Sequence, residues 1–391
     1  MFHRKVYMLK SLLSAAVVIF ALPILQAQSP RLSKAPQIVG YVFPKDAPLQ
    51  PGQIEANRLT RINYAFANIK NGDIVTGFAA DMQNFAFLND LKHENPALTV
   101  LVSVGGWEWS TNFSDVALTS QSRRAFIQSV ISFLTLYRLD GLDIDWEYPG
   151  MTGAGHRFRA EDKQNFTLLL KELRERFDQE TRRTGKELYL TIAAGASDEY
   201  LTHTEMTKVA KYVDTVNLMT YDMYEPSDDT VTGHHAPLFT NDSDPKKVSV
   251  DASVQAFERA GVPAAKIILG VPFYGHVWAN VVDSNHGLFQ SGKPSPNGYA
   301  PYRLIVEDFI DHGYVRYWDS VAKVPYLYSS AARFFVSYED PESLASKSSY
   351  VLGHKLGGMM FWDYSSDASG ALLHALHTGL YGPTESGAAG K

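Results

Sequence analysis

Eight short apolar runs recur along the chain, separated by polar stretches and helix-period stretches. The runs are Ile38–Phe43, Ile62–Asn68, Thr99–Val104, Gly141–Glu147, Leu188–Ala194, Thr215–Thr220, Ile267–Pro272 and Gly358–Trp362. Each is rich in Val, Ile, Leu or aromatic residues, as expected of strands buried on both faces of a parallel sheet. Between them, Arg123–Tyr137 and Lys163–Thr184 place apolar residues at helical spacing. The second also carries charge pairs four residues apart and ends at Gly185. Asp340-Pro341-Glu342 reads as a helix start, and Asp367 as the cap of a last helix. Strands alternating with helices in this way predict an α/β fold, a (β/α)8 TIM barrel.

One connection breaks the rhythm. Residues 273–357 separate the seventh and eighth strands, far more than a loop and one helix need. Within it, His276–Ser337 carries many aromatics and the strand-like pieces Lys323–Tyr328 and Phe334–Ser337. This predicts a small α+β insertion between strand 7 and helix 7. The expected organisation is a barrel over 37–275 and 338–380, an inserted subdomain over 276–337, and a Gly/Ala-rich flexible tail over 381–391.

The fourth run holds the strongest chemical signal. Asp140-Gly141-Leu142-Asp143-Ile144-Asp145-Trp146-Glu147 places four acids in eight residues, with apolar residues between them. In a strand, Asp143, Asp145 and Glu147 share one face, and Leu142, Ile144 and Trp146 the other. A solvated charge run has no reason to alternate with Leu, Ile and Trp. Clustered, poorly solvated carboxyls raise one another's pKa values, which lets a Glu remain a proton donor near neutral pH. A calcium loop also spaces Asp by two, but it needs Gly at its sixth position, where this chain has Tyr148. A purely structural acidic strand is the other alternative.

Chemistry in a TIM barrel sits at the C-terminal ends of the strands. The expected strands bring several residues there. They are Tyr41 late in strand one, Phe66 late in strand two, and Gly105, Gly106 and Trp107 after strand three. Glu147 ends strand four, Tyr221 and Asp222 end strand six, and Trp362 ends strand eight.

The acidic segment resembles the Asp-x-x-Asp-x-Asp-x-Glu signature of family 18 glycoside hydrolases, the chitinase family. The likeness extends to Tyr148-Pro149-Gly150, Ser103-Val104-Gly105-Gly106-Trp107 and Asn217-Leu218-Met219-Thr220-Tyr221-Asp222. It continues through Gly270-Val271-Pro272-Phe273-Tyr274-Gly275 and Gly358-Met359-Met360-Phe361-Trp362, so it spans nearly the whole mature chain. The resemblance implies a chitinase acting on chitin or chito-oligosaccharides, with no cofactor. It implies Glu147 as general acid, Asp145 beside the acetamido group, Asp143 as the support of Asp145, and Tyr221 as a donor to the acetamido oxygen. Gly105, Gly106, Trp107, Tyr148, Met219, Asp222, Trp362, Tyr41 and Phe66 are the implied substrate-binding residues. It also implies an insertion walling one side of the cleft. A related hydrolase of N-glycans or peptidoglycan is the nearest alternative. A sugar-binding lectin on the same barrel is a more distant one, because such members usually lose the acid. Two positions depart from similar chitinases: His276 stands where Arg is common, and Glu108 where small or amide residues are commoner.

Composition narrows the class further. With 45% hydrophobic and 20% charged residues, the 391-residue chain reads as ordinary globular, long enough for one large domain. A net charge of −6 without any basic run argues against nucleic acid as a partner. The 12 His residues show no HExxH spacing, and His234-His235 are adjacent, so no metal is implied. Met1–Ala27 reads as a secretory signal, with Arg4, Lys5 and Lys10 ahead of the apolar Leu12–Leu25, and residues 28–36 as a short leader. An uncleaved anchor is the alternative; after cleavage no membrane contact is expected. The chain has no Cys, so neither a lipoprotein anchor nor a disulfide framework exists. These features suit a monomeric bacterial enzyme, secreted or periplasmic.

Overall fold

In the computed structural model, which describes Met1 and residues 35–383, eight parallel strands close into a barrel. In chain order the strands are β1 (Gln37–Val42), β2 (Arg61–Lys70), the short β3 (Asp73–Val75), β4 (Thr99–Gly105), β5 (Gly141–Asp145), β6 (Tyr189–Gly195), β7 (Thr215–Met219) and β8 (Ile267–Pro272). An antiparallel set follows: β9 (Tyr274–Ala279), β10 (Lys293–Pro301), β11 (Val315–Asp319), β12 (Val324–Ser329) and β13 (Phe334–Ser337). The last strand is β14 (Gly358–Trp362), which lies between β8 and β1; β1 pairs in turn with β2, so the ring closes. Residues 2–34 and 384–391, which hold nearly all of the expected signal, leader and tail, lie outside the described residues.

The strands form because their side chains are apolar toward the surrounding helices, while the barrel interior holds a hydrogen-bonded cluster around Asp143. On β5, Leu142 and Ile144 join the main core, and Trp146 just beyond its end stacks on Phe113 at 5.3 Å between ring centres. Asp143 and Asp145 point the other way, into the barrel. Gly141 allows the tight approach of β6, because a Cβ there would lie 2.1 Å from the Tyr189 carbonyl oxygen. Two long helices, α1 (Ser120–Leu136) and α2 (Asp162–Thr184), pack on β5 and on its neighbour β6 respectively. Gly185 ends α2 at φ 75°, as a left-handed C-terminal residue should.

Some expectations shift. β5 ends at Asp145 rather than Glu147, because β4 stops at Gly105 and β6 pairs only as far as Ile144. Glu147 is instead held by its backbone N–H, which donates to Ser110 Oγ at 2.9 Å. Between β1 and β2 the described residues form a 3-10 turn at Ala56–Arg58 and no α-helix. The pairing of β3 with β2 has no counterpart in the apolar pattern. Asp340 caps the helix Pro341–His354 through the Glu342 and Ser343 N–H groups. Asp367 accepts from Leu372 N at 2.8 Å, although Gly370 occupies the N-cap of the final helix, Ala371–Tyr381. Tyr381 therefore closes that helix rather than beginning the tail.

The five antiparallel strands form a second sheet, in the order β10-β9-β13-β12-β11, with its own aromatic core around Trp278, Tyr326 and Phe335. β9 leaves β8 after the single residue Phe273, two residues ahead of the expected start. Lys347 ties this region down: it is fully buried, ion-paired with Glu339, and donates to the Ala236 carbonyl at 2.6 Å.

Candidate active site

A cleft of about 1590 Å3 opens at the C-terminal ends of the barrel strands. Of the residues expected to bind or react, Tyr41, Phe66, Gly105, Trp107, Asp145, Glu147, Tyr148, Met219, Tyr221, Asp222 and Trp362 all line it. Asp143 lies beneath, wholly buried. Gly106 is not among the lining residues. Its φ of 77° and the 2.6 Å gap between a built Cβ and the Phe66 ring make it a backbone turn that lets Phe66 reach the cleft.

Asp143 is the anchor of the acidic row. Its oxygens accept from Tyr41 Oη at 2.9 Å, Ser103 Oγ at 2.8 Å, Asn217 Nδ2 at 3.1 Å and the Thr191 hydroxyl. Burial raises its pKa, while these hydrogen bonds and the Arg61 guanidinium pull the other way. Arg61 is itself buried in the barrel interior and donates to Thr215. Asp140, at the base of the strand, pairs with Lys92 and Lys186 and accepts from Val100 N, a structural role.

Asp145 and Glu147 stand above Asp143. Burial, then the charges of Glu147 and Asp143, push the Asp145 carboxyl well above the usual range. Its Oδ1 has no hydrogen-bond partner. Glu147 is only 8% exposed, and burial lifts its pKa to about 7, with the Asp222 charge adding to the rise against a hydrogen bond from Tyr148. This is the condition for a carboxylic acid that can give up a proton at neutral pH and take it back.

Tyr221 faces the same acids, and burial and the charges of Asp222, Asp145 and Glu147 keep its hydroxyl protonated, so it acts as a donor. Asp222 is 40% exposed and accepts from Tyr274 Oη at 2.6 Å and from His276 Nε2 at 2.8 Å. Burial would raise its pKa, but the neighbouring His235 and His276 outweigh that and hold it ionised far below the usual range.

Trp362 forms the cleft floor. It stacks on Phe66 at 5.5 Å and 21°, and touches Tyr41 and Phe43. Sequence reasoning missed the continuation of this wall through Phe43, Phe78 and Trp109, whose rings follow at 5.8 and 4.9 Å. Phe43 ended an expected strand and Trp109 stands two residues past Trp107, so position along the chain offered a weak hint; nothing marked Phe78. Trp107 is 54% exposed and meets Tyr148 edge-on, with ring centres 6.4 Å apart. Tyr299 of β10 stacks on Tyr274 at 4.5 Å and also lines the cleft. His234, on the loop after β7, pairs with Asp319 at 3.1 Å.

A parallel barrel whose strand ends present a protonatable Glu, a row of buried Asp and aromatic walls defines a glycoside-hydrolase type of site. The chain belongs to the glycosyl hydrolases family 18, whose model matches residues 37–367. Chitinase A1 of Niallia circulans is 37% identical, over 95% of this chain and 62% of that protein, so this chain spans less than two thirds of that relative. Chitotriosidase-1 of Mus musculus is 34% identical over 80% of this chain and 68% of that protein. A solved family 18 N-acetylglucosaminidase from Paenibacillus barengoltzii superposes with a TM-score of 0.82 at 44% identity, over 88% of this chain and all of that one.

Proposed function

We propose that this protein is a secreted chitinase that hydrolyses β-1,4 links between N-acetylglucosamine units with retention of anomeric configuration. The observation that carries the reading is Asp145. It is a buried carboxylate whose Oδ1 lacks a partner, beside an acid lifted to about 7. A buried acceptor left without a donor costs about 1–3 kcal/mol, and a substrate N–H would satisfy it.

In this mechanism the acetamido carbonyl oxygen of the bound sugar attacks its own anomeric carbon. Substrate assistance of this kind requires no second protein nucleophile. The glycosidic C–O bond breaks and Glu147 gives its proton to the departing oxygen. The resulting oxazolinium ion is positive. Asp145 would stabilise it and hold the acetamido N–H, and Tyr221 would fix the acetamido oxygen. Glu147, now ionised, takes a proton from water as that water attacks the anomeric carbon; the ring opens, the amide is restored and Glu147 is protonated again. Asp222 would bind a sugar group beside the acid, and Trp362 would carry the reacting ring.

Assay of the purified protein on chitohexaose beside Glu147→Gln, with products and anomers followed by NMR, tests the reading. Short β-anomeric products from the wild type, lost in the variant, are expected. Initial α-anomers, or turnover that survives in the variant, would overturn it. The likeness to an N-acetylglucosaminidase favours one second reading, release of single N-acetylglucosamine units. We read the enzyme as endo-acting, cutting within the polymer, and monomer as the first product would instead select this second reading; binding without cleavage would select a lectin. Among the described residues no helix is long and apolar enough to cross a membrane. The basic-then-apolar start of Met1–Ala27 supports export.

A further inference from the structure

Behind Asp222 in the cleft wall the fold brings together three metal-ligand groups from separate segments. Asp222 follows β7, His235 lies on the loop beyond it, and His276 belongs to β9. Their ligand atoms all lie within 4.8 Å of one another. His276 Nε2 and His235 Nδ1 stand 2.8 and 3.7 Å from Asp222 Oδ1, and the two imidazole centres are 4.9 Å apart.

The hydrogen bonding around these groups favours a ligand. His235 is 1% exposed, yet neither of its ring nitrogens has a hydrogen-bond partner. A buried imidazole in that state forfeits about 1–3 kcal/mol. The other ring nitrogen of His276, Nδ1, faces the Gly298 carbonyl oxygen at 3.4 Å. A metal-bound imidazole commonly keeps its far nitrogen protonated against such a carbonyl. A tetrahedral ion with bonds of about 2.0–2.1 Å sets its donor atoms about 3.3 Å apart. The His235–Asp222 pair, at 3.7 Å, must close by about 0.4 Å and the His276–Asp222 pair, at 2.8 Å, must open by about 0.5 Å, while the two His nitrogens start within 4.8 Å of each other. Asp222 can supply the movement, since it is the partly exposed member and its open side faces the cleft.

We propose that Asp222, His235 and His276 bind one divalent transition-metal ion of the zinc class, and that the bound ion blocks the sugar position at Asp222. Two imidazoles and one carboxylate suit zinc or copper; calcium and magnesium demand more oxygen ligands than this cluster offers. The fourth position would be open to water from the cleft. Metal binding stands apart from the proposed reaction, and only the inhibition rests on it.

Calorimetric titration of the metal-stripped protein with ZnCl2, with MgCl2 and CaCl2 as controls and no saccharide present, tests the site. One zinc ion per chain at micromolar affinity or tighter is expected. His276→Gln and Asp222→Asn should each weaken it on the order of 100-fold, as loss of a direct ligand exceeds the ~10–100-fold effect of outer partners. Circular dichroism would verify that both variants fold; Asp222 is exposed enough that its variant keeps the test decisive if the buried His276 variant does not. Absence of zinc binding, equal affinity in the folded variants, or equal affinity for magnesium would overturn the proposal. Titration with CoCl2 gives a readout independent of heat: an intense four-coordinate visible spectrum supports the site, and the weak spectrum of aqueous cobalt refutes it. Zinc inhibition of hydrolysis that vanishes with chelator is expected in addition. If zinc binds but chitohexaose is not cleaved at all, the reading of function fails while the metal site stands.

Discussion

Replacement of Glu147 by Gln should remove activity and raise stability, with the gain confined to one side of a pH window. The side chain is nearly fully buried, and its pKa rises from an ordinary 4.5 to about 7. At about 1.4 kcal/mol for each pKa unit, the folded protein carries on the order of 3 kcal/mol of penalty once Glu147 ionises. The sign follows from proton binding. Between pH 4.5 and about 7 the folded state holds a proton that the unfolded state has released, so stability falls as pH rises through this range and levels off above it. Gln has no charge to bury and escapes the fall. The unfolding entropy is about 2.1 cal/mol/K per residue, so a folded unit of this size converts about 3 kcal/mol into roughly 4 °C. Calorimetric scans at fixed rate should therefore show equal melting temperatures for wild type and Glu147→Gln near pH 4.5. A gap of about 4 °C should open by about pH 8. Hydrolysis in the variant should drop on the order of 100- to 10,000-fold. A melting gap that does not change with pH would refute the raised pKa, and with it the account of how this acid stays protonated.

Three further outcomes follow from the same geometry. In chelator-containing buffer, the basic limb of the pH profile of kcat/KM should fall near 7, and Asp222→Asn should move it to lower pH by removing a charge that raises the Glu147 pKa; an unmoved limb would contradict the link. Asp145→Asn and Tyr221→Phe should each cut kcat more than they change KM, because both act on the acetamido group as it reacts, and steady-state kinetics showing a change in KM alone would fail that assignment. Asp143→Ala should lower stability by at least about 3 kcal/mol in urea unfolding, because it strips the shared acceptor from Tyr41, Ser103, Asn217 and Thr191, each a buried donor. A loss below about 1 kcal/mol would show that this network holds without its centre.

Much of the barrel was legible because its strands are buried on both faces and so read as continuous apolar runs. Ile267–Pro272 and Gly358–Trp362 are strands over those same residues. The acidic row was legible for a related reason: Leu142, Ile144 and Trp146 mark the helix-facing side, so the intervening Asp143 and Asp145 must face inward. What failed was whatever depends on a neighbouring strand. The end of β5 is set by where β4 and β6 stop, not by its own alternation, so Glu147 falls outside the ladder. The aromatic wall of Phe43, Phe66, Phe78 and Trp109 is assembled from separate segments, and no local period announces it.

The same limit hid the part played by the antiparallel sheet. In the sequence, His276 is a departure from similar chitinases with no visible partner. In the structure it reaches Asp222, as does Tyr274 from the same strand, and Tyr299 stacks behind Tyr274. Asp222 in turn bears on Glu147 through its charge. The insertion therefore does more than wall the cleft. Its first strand, together with His235, fixes the position and ionisation of a carboxylate outside the acidic row whose charge raises the Glu147 pKa. A barrel holding the same Asp143, Asp145 and Glu147 but a different residue at 276 would present the same acid in a different field. Family membership alone thus cannot assign the pH dependence of this chain; the contacts of β9 must be known as well.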